Sequence, residues 1–301
     1  MMGHFGRILL FLISCQLSLM SKGAGSFSSI TIPRPQHQPS GDLDTRSDYF
    51  SSLLDKVLLI TNDRYDPIKL TYHPTFFTQA RTVRLLANGE ELDVIWLMTD
   101  IQRETRLRPI RTPLMKGLLG VRCLVIRQSD KKRFESIKSI ESLRKLLALQ
   151  GHDWPDTKIL RANYLLVLPV RHYHEAFSML AKGRADYFPR GILEALPELE
   201  SKKELSLTVA NHLLITYRAP IYYFVNKQNS KLAERIELGL KRLIATKALD
   251  KHLKNYHGFE LVNKLMKNHK TKLLKLYNPL LTTESQNVSH VYYYQDDLFK
   301  Q

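Results

Sequence analysis

Two stretches of the chain share one pattern of apolar and polar positions. In residues 87–96 (ANGEELDVIW) and 181–191 (AKGRADYFPRG), an amphipathic helical run leads into a glycine, an acid and an apolar strand. Gly89 and Gly183 can each take the left-handed conformation that ends a helix. A helix, a glycine turn and a strand, repeated on either side of the midpoint, predict two similar α/β lobes built on mostly parallel sheets.

Apolar runs elsewhere predict the remaining elements of these lobes. The predicted strands cover residues 57–61, 93–98, 118–127, 146–150, 164–170, 186–188, 205–217 and 221–225. The predicted helices cover residues 76–86, 157–162 and 174–182, and one long helix or a pair covers 231–257. The alternation of the two kinds of element predicts an α/β fold.

The charge of the chain adds a weak indication of its partner. The 301 residues include 44% hydrophobic ones and carry a formal net charge of +16, which suits an anionic partner such as a membrane surface, a cell-wall polymer or a small acidic ligand. Lys and Arg are scattered through all segments. This scatter favours a diffuse solvated surface, and it argues against nucleic acid as a partner.

The N-terminus predicts export. His4 and Arg7 precede the apolar run 8–13, and small residues follow at 23–25. Residues 1–25 are therefore predicted to be a secretory signal peptide, which places the mature protein in the periplasm.

Cysteine usage leaves two alternatives for the N-terminus and little chemistry elsewhere. Residues 12–15 (LISC) fit a lipoprotein processing box at Cys15, but the apolar residues continuing to Met20 favour a soluble mature protein. Cys123 lies in an apolar run and is expected to be a core residue, so no disulfide, metal or cofactor is expected.

Residues 26–50, rich in Ser, Pro and Gln, are predicted to be a linker.

Ligands of open α/β sheets bind beyond the carboxyl ends of strands, which selects the candidate site residues. Asn62 and Tyr65 follow the first predicted strand, Arg103 and Arg106 follow the strand 93–98, and Arg190 follows the strand 186–188. We expect these loops to line a cleft.

The segment GHDWPD, residues 151–156, is a further candidate because a strand, a tight turn and a helix start can present free N–H groups to an anion. It contributes His152, Asp153 and Trp154 to the predicted site. The alternative is a plain capped turn, in which Asp153 or Asp156 caps the helix and Trp154 packs on the lobe.

Aromatic residues near these loops offer stacking faces for a ligand. Tyr65, Trp154 and Tyr187 are the candidates. Trp96 lies in the middle of a predicted strand and is expected to be a core residue instead.

Together these features resemble the type II periplasmic solute-binding proteins grouped as solute-binding family 3. The resemblance covers residues 55–258 and depends on the order and spacing of several loose motifs, beside the secretory start. These are ANGEELDV followed by Thr99 and an arginine, PLMKGLLGVRCLVI, SIKSIESL, AFSMLAKGRADYF and APIYYFVNKQNSKLAERIELGL.

The resemblance implies a two-lobed α/β fold in which two crossing strands form a hinge, near residues 122–127 and 214–217. The ligand would lie in the cleft, and the lobes would close around it. The implied organisation is a first lobe of residues 51–124 and 216–260, a second lobe of residues 125–215 and a basic C-terminal helix and tail of residues 261–301.

The resemblance also implies roles for two of the candidates. In the family, an arginine after the first-lobe threonine, here Thr99, often binds a ligand carboxylate, because its planar fork donates two parallel hydrogen bonds. Arg103 is the nearest match, and Arg106 is the reserve.

One departure from the family bears on the ligand. Amino-acid-binding members usually have an aspartate after the strand of the GRAD motif that receives the ligand's ammonium group, but this chain has Arg190 and Gly191 there. The departure places an ordinary α-amino acid in doubt and suggests a more anionic ligand. Glu194, one helical turn on, is the alternative partner of Arg190.

The leading hypothesis is a monomeric, non-enzymatic protein that presents a small polar, amino-acid-like or anionic solute to an inner-membrane ABC permease or to a sensor. One alternative is an enzyme on the same scaffold with His152 and Asp153 as acid and base. Another is an orphan interaction or sensory protein whose basic C-terminal region contacts the membrane or cell wall.

Overall fold

A computed structural model gives the architecture of the chain. The predicted signal peptide, residues 1–25, lies outside the described residues, and so does Cys15. The structure describes residues 28–35, 45–256, 258–266, 271–289 and 293.

The described residues form strands and helices in alternation. The strands are β1 (Ser29–Ile32), β2 (Lys69–Tyr72), β3 (Val94–Met98), β4 (Arg108–Ile110), β5 (Val121–Arg127), β6 (Leu147–Gly151), β7 (Leu166–Val170), β8 (Phe188–Gly191), β9 (Leu207–Thr216), β10 (Ile221–Val225) and β11 (Lys272–Lys275). The α-helices are α1 (Thr45–Leu59), α2 (Gln79–Asn88), α3 (Ile101–Arg106), α4 (Lys131–Glu135), α5 (Ile140–Leu143), α6 (Pro155–Ala162), α7 (Tyr173–Ala181), α8 (Ala195–Glu200), α9 (Ser230–Ala245), α10 (Ala248–Lys254), α11 (Phe259–Met266) and α12 (Thr283–Gln286).

The first sheet contains β3, β10 and β4 in that order, and the pair β1 and β2 lies beside β3. β1 and β2 are parallel, and β10 is antiparallel to both β3 and β4. β1 lies beside β3 because the Asp93 amide donates to the Thr31 carbonyl at 2.9 Å and the Thr31 amide donates to the Asp93 carboxylate at 2.8 Å.

The second sheet contains β8, β5, β9 and β11, and the parallel pair β6 and β7 continues it. An isolated bridge from Ala148 to Tyr187 connects β6 to the chain just before β8. The Asp186 carboxylate accepts the Leu147 amide at 2.8 Å, so it has the same role here as Asp93 has in the first sheet.

The prediction of mostly parallel sheets is wrong at the centre of each sheet. β5 is antiparallel to β8 and β9, just as β10 is antiparallel to its neighbours. Both strands enter directly from the other sheet, without the crossover helix that a parallel pair requires.

The chain passes between the sheets at residues 111–120 and 217–220. The Tyr217 amide donates to the Gly120 carbonyl at 3.0 Å, and a Cβ on Gly120 would overlap the Tyr217 carbonyl oxygen. The two passages therefore approach this closely only because residue 120 is glycine. The first passage, residues 111–120, precedes the crossing predicted at 122–127, because residues 122–127 belong to strand β5.

The prediction of a strand over residues 57–61 is wrong, because these residues end helix α1. The apolar positions of α1 recur at helical spacing and are buried: Tyr49, Phe50, Leu53, Leu54, Val57 and Leu58. The segment 57–61 shows only the last turn of that pattern, so its short apolar run resembles a buried strand.

The prediction of a linker over residues 26–50 is also wrong for part of its length. Strand β1 falls within it, α1 begins at Thr45, and Ile30 and Ile32 are buried in the core. Its position between β2 and β3 gives this short apolar run partners that the local composition does not show.

The C-terminal segment, defined here as residues 271–289, contacts the second sheet and the helices α3 and α6. β11 pairs in parallel with β9 at the edge of the second sheet. The Asn163 side chain, at the end of α6, binds the backbone of Tyr277 on both N–H and C=O, at 3.0 and 2.8 Å. The Ile101 amide, at the start of α3, donates to the Leu280 carbonyl at 2.8 Å.

The predicted basic helix is correct only for its beginning. Lys264 lies on α11, but Lys272 and Lys275 belong to strand β11. Within the described residues, no helix combines the length and the apolar character needed to cross a membrane.

Candidate functional site

A cavity of about 60 Å³ lies between the two sheets. Three of its lining residues are arginines and two are carboxylates, so charges of both signs face one small space. The lining residues are Phe50, Gln79, Trp96, Leu97, Met98, Arg103, Leu119, Arg122, Trp154, Pro155, Asp156, Arg190, Glu194 and Ile221.

Arg103 enters the cavity from α3, which directly follows β3. Asp100 begins this helix, because its carboxylate accepts the Arg103 amide at 2.8 Å. The Arg103 guanidinium donates to the Met98 carbonyl at 2.5 Å and to the Gln79 side chain at 3.0 Å, and it lies 3.3 Å from Asp100. A guanidinium has five N–H donors, so these contacts fix its orientation and leave donors for a ligand.

Nearby carboxylates, including two around the start of α6, affect the pKa of Arg103. Burial lowers the pKa of Arg103, and Asp100, Asp153 and Asp156 act against this reduction. Asp156, on α6, lines the cavity opposite Arg103, and Asp153 lies in the turn before that helix.

Glu104, the next residue on α3, is held beneath the cavity. Its carboxylate accepts hydrogen bonds from four side chains: Thr99 at 2.6 Å, Ser285 at 2.6 Å, Arg111 at 2.7 Å and Thr282 at 3.0 Å. Burial by itself raises the pKa of Glu104, but these bonds outweigh it and lower the pKa. Two of the four donors come from the C-terminal segment, which therefore supports the helix that carries Arg103.

Trp96 lines the cavity and stacks on Phe50, with ring centroids 5.6 Å apart. The expectation that Trp96 is only a core residue is therefore incomplete. A residue in the middle of a strand can face either side of a sheet, and in β3 the side of Trp96 adjoins the cavity.

Arg122, on β5, lies under the cavity with its side chain 3% exposed. It pairs with Asp156 at 2.6 Å, donates to the Tyr217 hydroxyl at 3.0 Å and lies 3.6 Å from Glu194. The Tyr217 hydroxyl donates a short hydrogen bond to Asp156. Burial alone lowers the pKa of Arg122, but its anionic and phenolic neighbours raise it above the ordinary value.

Asp156 therefore does not cap α6, and neither does Asp153. Trp154 is the N-cap residue and makes no side-chain cap bond, and Pro155 occupies the first turn. The Thr157 hydroxyl closes the turn by donating to the Gly151 carbonyl at 2.6 Å.

Arg190 is almost fully buried and is neutralised by two carboxylates from its own lobe. Glu198 accepts two of its N–H groups at 2.8 and 2.5 Å, and Glu194 lies 3.1 Å away. Burial lowers the pKa of Arg190, but Glu194 and Glu198 overcome it and raise the pKa well above the ordinary value. Glu194 is thus the structural partner that the sequence offered as an alternative, and Glu198 is a second one.

Glu194 also approaches the backbone of Gly191. Its carboxylate accepts the Gly191 amide at 3.0 Å, and a Cβ on Gly191 would lie 2.7 Å from the same oxygen. The carboxylate of residue 194 therefore fills the space that a side chain at position 191 would need.

Three of the nine predicted site residues line the cavity: Arg103, Trp154 and Arg190. Thr99 is buried beside it and binds Glu104, and Arg106 is exposed on α3. The structure therefore favours Arg103 over the reserve candidate.

Asn62 and Tyr65 lie elsewhere, since the strand expected before them is helix α1. The Asn62 side chain accepts from Arg235 at 3.0 Å, and the Tyr65 ring lies 5.1 Å from the same guanidinium. His152 and Asp153 are about half exposed, with 3.8 Å between the nearest nitrogen and oxygen, and neither lines the cavity.

Gln79, Arg122 and Asp156 line the cavity, but the sequence gives little signal for this. Gln79 begins a helix instead of following a strand, and Arg122 stands in an apolar run where a single charge gives little signal. Asp156 belongs to the GHDWPD motif, where its place at a helix start predicts a cap and not a residue of the cavity wall. Among the described residues, no group of three or more His, Cys, Asp or Glu side chains is placed to hold a metal ion.

Comparisons with known proteins give a likeness in structure only. No protein-family model and no curated protein sequence matches the chain. An ancestral arginine-binding protein bound to arginine matches with a TM-score of 0.57 at 17% identity, covering 76% of this chain and 98% of that one.

Two further solved structures give the same result. The probable amino-acid ABC transporter extracellular-binding protein YtmK from Bacillus subtilis matches with a TM-score of 0.57 at 15% identity, covering 78% of this chain and 99% of its own. A putative binding component of an ABC transporter from Wolinella succinogenes, complexed with lysine, matches with a TM-score of 0.59 at 13% identity, covering 76% and 95%. At this identity the shared property is the two-lobed α/β fold.

Proposed function

We propose, from the two-lobed type II periplasmic-binding-protein fold of this chain, that it is a solute-binding protein for a small α-amino-acid-like zwitterion. One observation carries the proposal: Arg103 and Glu194 face the same cavity, the first from the helix after β3 and the second from the turn after β8. A guanidinium and a carboxylate on opposite walls suit a ligand with one carboxylate and one ammonium group.

Glu194 supports an amino acid over a purely anionic ligand. The acid expected after the second-lobe strand is missing at Gly191, but the carboxylate of Glu194 occupies the space beside Gly191. Arg190 offers little positive charge to a ligand, because Glu198 already accepts two of its N–H groups. The doubt about an α-amino acid, which came from the sequence around Arg190, is therefore weakened.

Arg103 supplies the carboxylate end of the proposed site. Asp100, Gln79 and the Met98 carbonyl hold its side chain in place before any ligand arrives. Preorganised donors of this kind lose little conformational entropy on binding.

The enzyme alternative has less support in the described residues. It depends on His152 and Asp153, which lie in the turn before α6 and outside the cavity lining. The proposal therefore keeps a binding role, in the periplasm, with an ABC permease or a sensor as the partner that receives the solute.

A ligand panel with matched variants tests the proposal. Thermal unfolding of the mature chain is measured with glycine, alanine and serine, and with propionate and ethylamine, which each carry only one of the two charges. We expect stabilisation by an amino acid and by neither single-charge compound, because only a ligand that binds the folded state raises its melting temperature.

Calorimetry then assigns the two ends of the site. Arg103→Ala and Glu194→Gln should each weaken the affinity for the amino acid by more than about tenfold, as expected for the loss of a charge-assisted hydrogen bond. Arg84→Ala, an exposed arginine on α2, serves as the control and should leave it unchanged. A folded protein that no panel member stabilises, but that binds lipid vesicles, would contradict the proposal and favour the interaction-protein alternative.

A further inference from the structure

The guanidinium of Arg190 lies among three aromatic rings. Its central carbon is 5.0 Å from the ring centroid of Trp154, 5.0 Å from that of Phe188 and 5.4 Å from that of Tyr173. Each distance is within the range of a cation–π interaction. The rings come from three different elements, so the arrangement is a product of the tertiary fold.

Two carboxylates complete the surroundings of this cation. Glu198 binds the guanidinium in a two-point contact, and the Tyr173 hydroxyl donates to the same carboxylate at 2.6 Å. Glu194 adds the third contact. Aromatic faces and carboxylates around a desolvated cation are the features of a protein site that recognises a guanidinium or ammonium ligand.

The rings of Trp154, Tyr173 and Phe188 and the carboxylate of Glu198 form a cage around Arg190. The position of this cage relative to the cavity affects which ligands the cavity can accept. Trp154, Arg190 and Glu194 line the cavity, whereas Tyr173, Phe188 and Glu198 do not. Arg190 therefore lies between the cavity and the rest of the cage. A ligand that carried a cationic side chain would meet the guanidinium of the protein in the place where its own charge could be accepted.

We propose that Arg190 is an internal occupant of a cation-binding cage formed by Trp154, Tyr173, Phe188 and Glu198, and that it keeps cationic side chains out of the cavity. Arg190 is then a specificity-determining residue, and the ligand carries a small uncharged side chain. This consequence for the ligand rests on the proposed amino-acid-binding function, but the existence of the cage does not.

Removal of the internal cation tests the cage. In Arg190→Ala, the vacated cage should bind ethylguanidinium at low-millimolar concentration and raise the melting temperature of the variant by about 2–4 °C. Ethylurea has nearly the same shape without the charge and should have no such effect. The unsubstituted protein and Arg242→Ala, which loses a partly exposed arginine paired with Asp63, should respond equally to the two compounds.

The double variant Arg190→Ala/Glu198→Gln removes the principal carboxylate and should lose the response to ethylguanidinium. If Arg190→Ala does not fold by itself, the refolding yield with ethylguanidinium is compared with the yield with ethylurea, and the cage predicts a higher yield with the cation. Equal effects of the two compounds, or no folded protein with either, would overturn the proposal.

The specificity consequence has its own measurement. Arginine and lysine should not stabilise the unsubstituted protein, and either or both should stabilise Arg190→Ala. Stabilisation by ethylguanidinium without any response to amino acids would support the cage while contradicting the proposed function. Stabilisation of the unsubstituted protein by arginine or lysine would overturn the role of Arg190 in specificity.

Discussion

The carboxylate of Glu194 lies where a side chain of residue 191 would stand. A Cβ on Gly191 would be 2.7 Å from Glu194 Oε2 and 3.0 Å from its carboxyl carbon. These distances are too short for a Cβ, so Gly191 and Glu194 form one unit, in which the missing side chain of the first residue makes room for the second.

This relationship predicts the result of Gly191→Ala. The added methyl group should displace the Glu194 carboxylate, lower the free energy of unfolding by about 1–3 kcal/mol through overpacking and weaken amino-acid binding. Urea unfolding and calorimetry measure the two effects. In a Glu194→Ala background the space is already vacant, so the same substitution should cost much less, and an equal cost in both backgrounds would contradict the steric argument.

A second prediction concerns the buried pair of Arg122 and Asp156. Arg122→Met leaves Asp156 and Glu194 buried without their shared cation, and it should lower the free energy of unfolding by about 3–5 kcal/mol. The double variant Arg122→Met/Asp156→Asn should recover part of this loss. Arg133→Met removes a half-exposed partner of Asp186 and is the control, with an expected cost of about 0–1 kcal/mol.

A third prediction concerns the pH dependence of stability through Glu104. Its pKa is lower in the folded protein than in the unfolded chain, so its contribution is complete above the unfolded pKa and is lost as the pH falls through the folded pKa. Glu104→Gln should therefore lower the free energy of unfolding by about 1–3 kcal/mol at neutral pH.

The difference between Glu104→Gln and the unsubstituted protein should shrink when the pH is lowered below about 4.3, the ordinary pKa of a glutamic acid. Denaturant unfolding at a series of pH values measures this difference. Glu234→Gln is the control, since this glutamate is exposed on α9 and takes no part in the contacts of Glu104. A difference that stays constant down to acid pH would show that the hydrogen bonds of Glu104 do not depend on its charge.

A fourth prediction concerns the C-terminal segment, which contacts Asn163 on one side of the cavity and α3 on the other. Asn163→Ala removes both hydrogen bonds to Tyr277 and should lower the free energy of unfolding by about 1–2 kcal/mol. Limited proteolysis should also cut residues 276–289 sooner. Asn255→Ala, at the exposed end of α10, should change neither measurement, and unchanged proteolysis of Asn163→Ala would show that the segment is anchored elsewhere.

The glycine turns and the strands that follow them could be predicted from the local sequence. Gly89 and Gly183 both have a φ of 73°, as their places at the ends of helices predicted. The strands around Trp96 and Phe188 follow these turns, because a glycine stop and a buried apolar run depend on neighbouring residues alone.

Strand β1 could not be predicted from the local sequence in this way. Ser29–Ile32 is too short to be distinguished from a linker, and it becomes a strand only because β2 and Asp93 supply partners from distant parts of the chain. Conversely, residues 57–61 have the composition of a strand, but their helical spacing with Phe50 and Leu53 decides their structure.

The sequence by itself determined the two-lobed α/β plan, the repeated glycine turns and an arginine after β3. Arg190, which was expected to follow a strand at 186–188, lies within β8. Only the tertiary structure decided how each of these charges is paired, because charge pairing depends on residues brought together from separate elements. Arg103 lines the cavity and is held by Asp100 and Gln79, whereas Arg190 is neutralised by Glu194 and Glu198 and enclosed by aromatic rings. Desolvation makes each buried charge depend on its nearest partner, and the identity of that partner is a property of the folded chain.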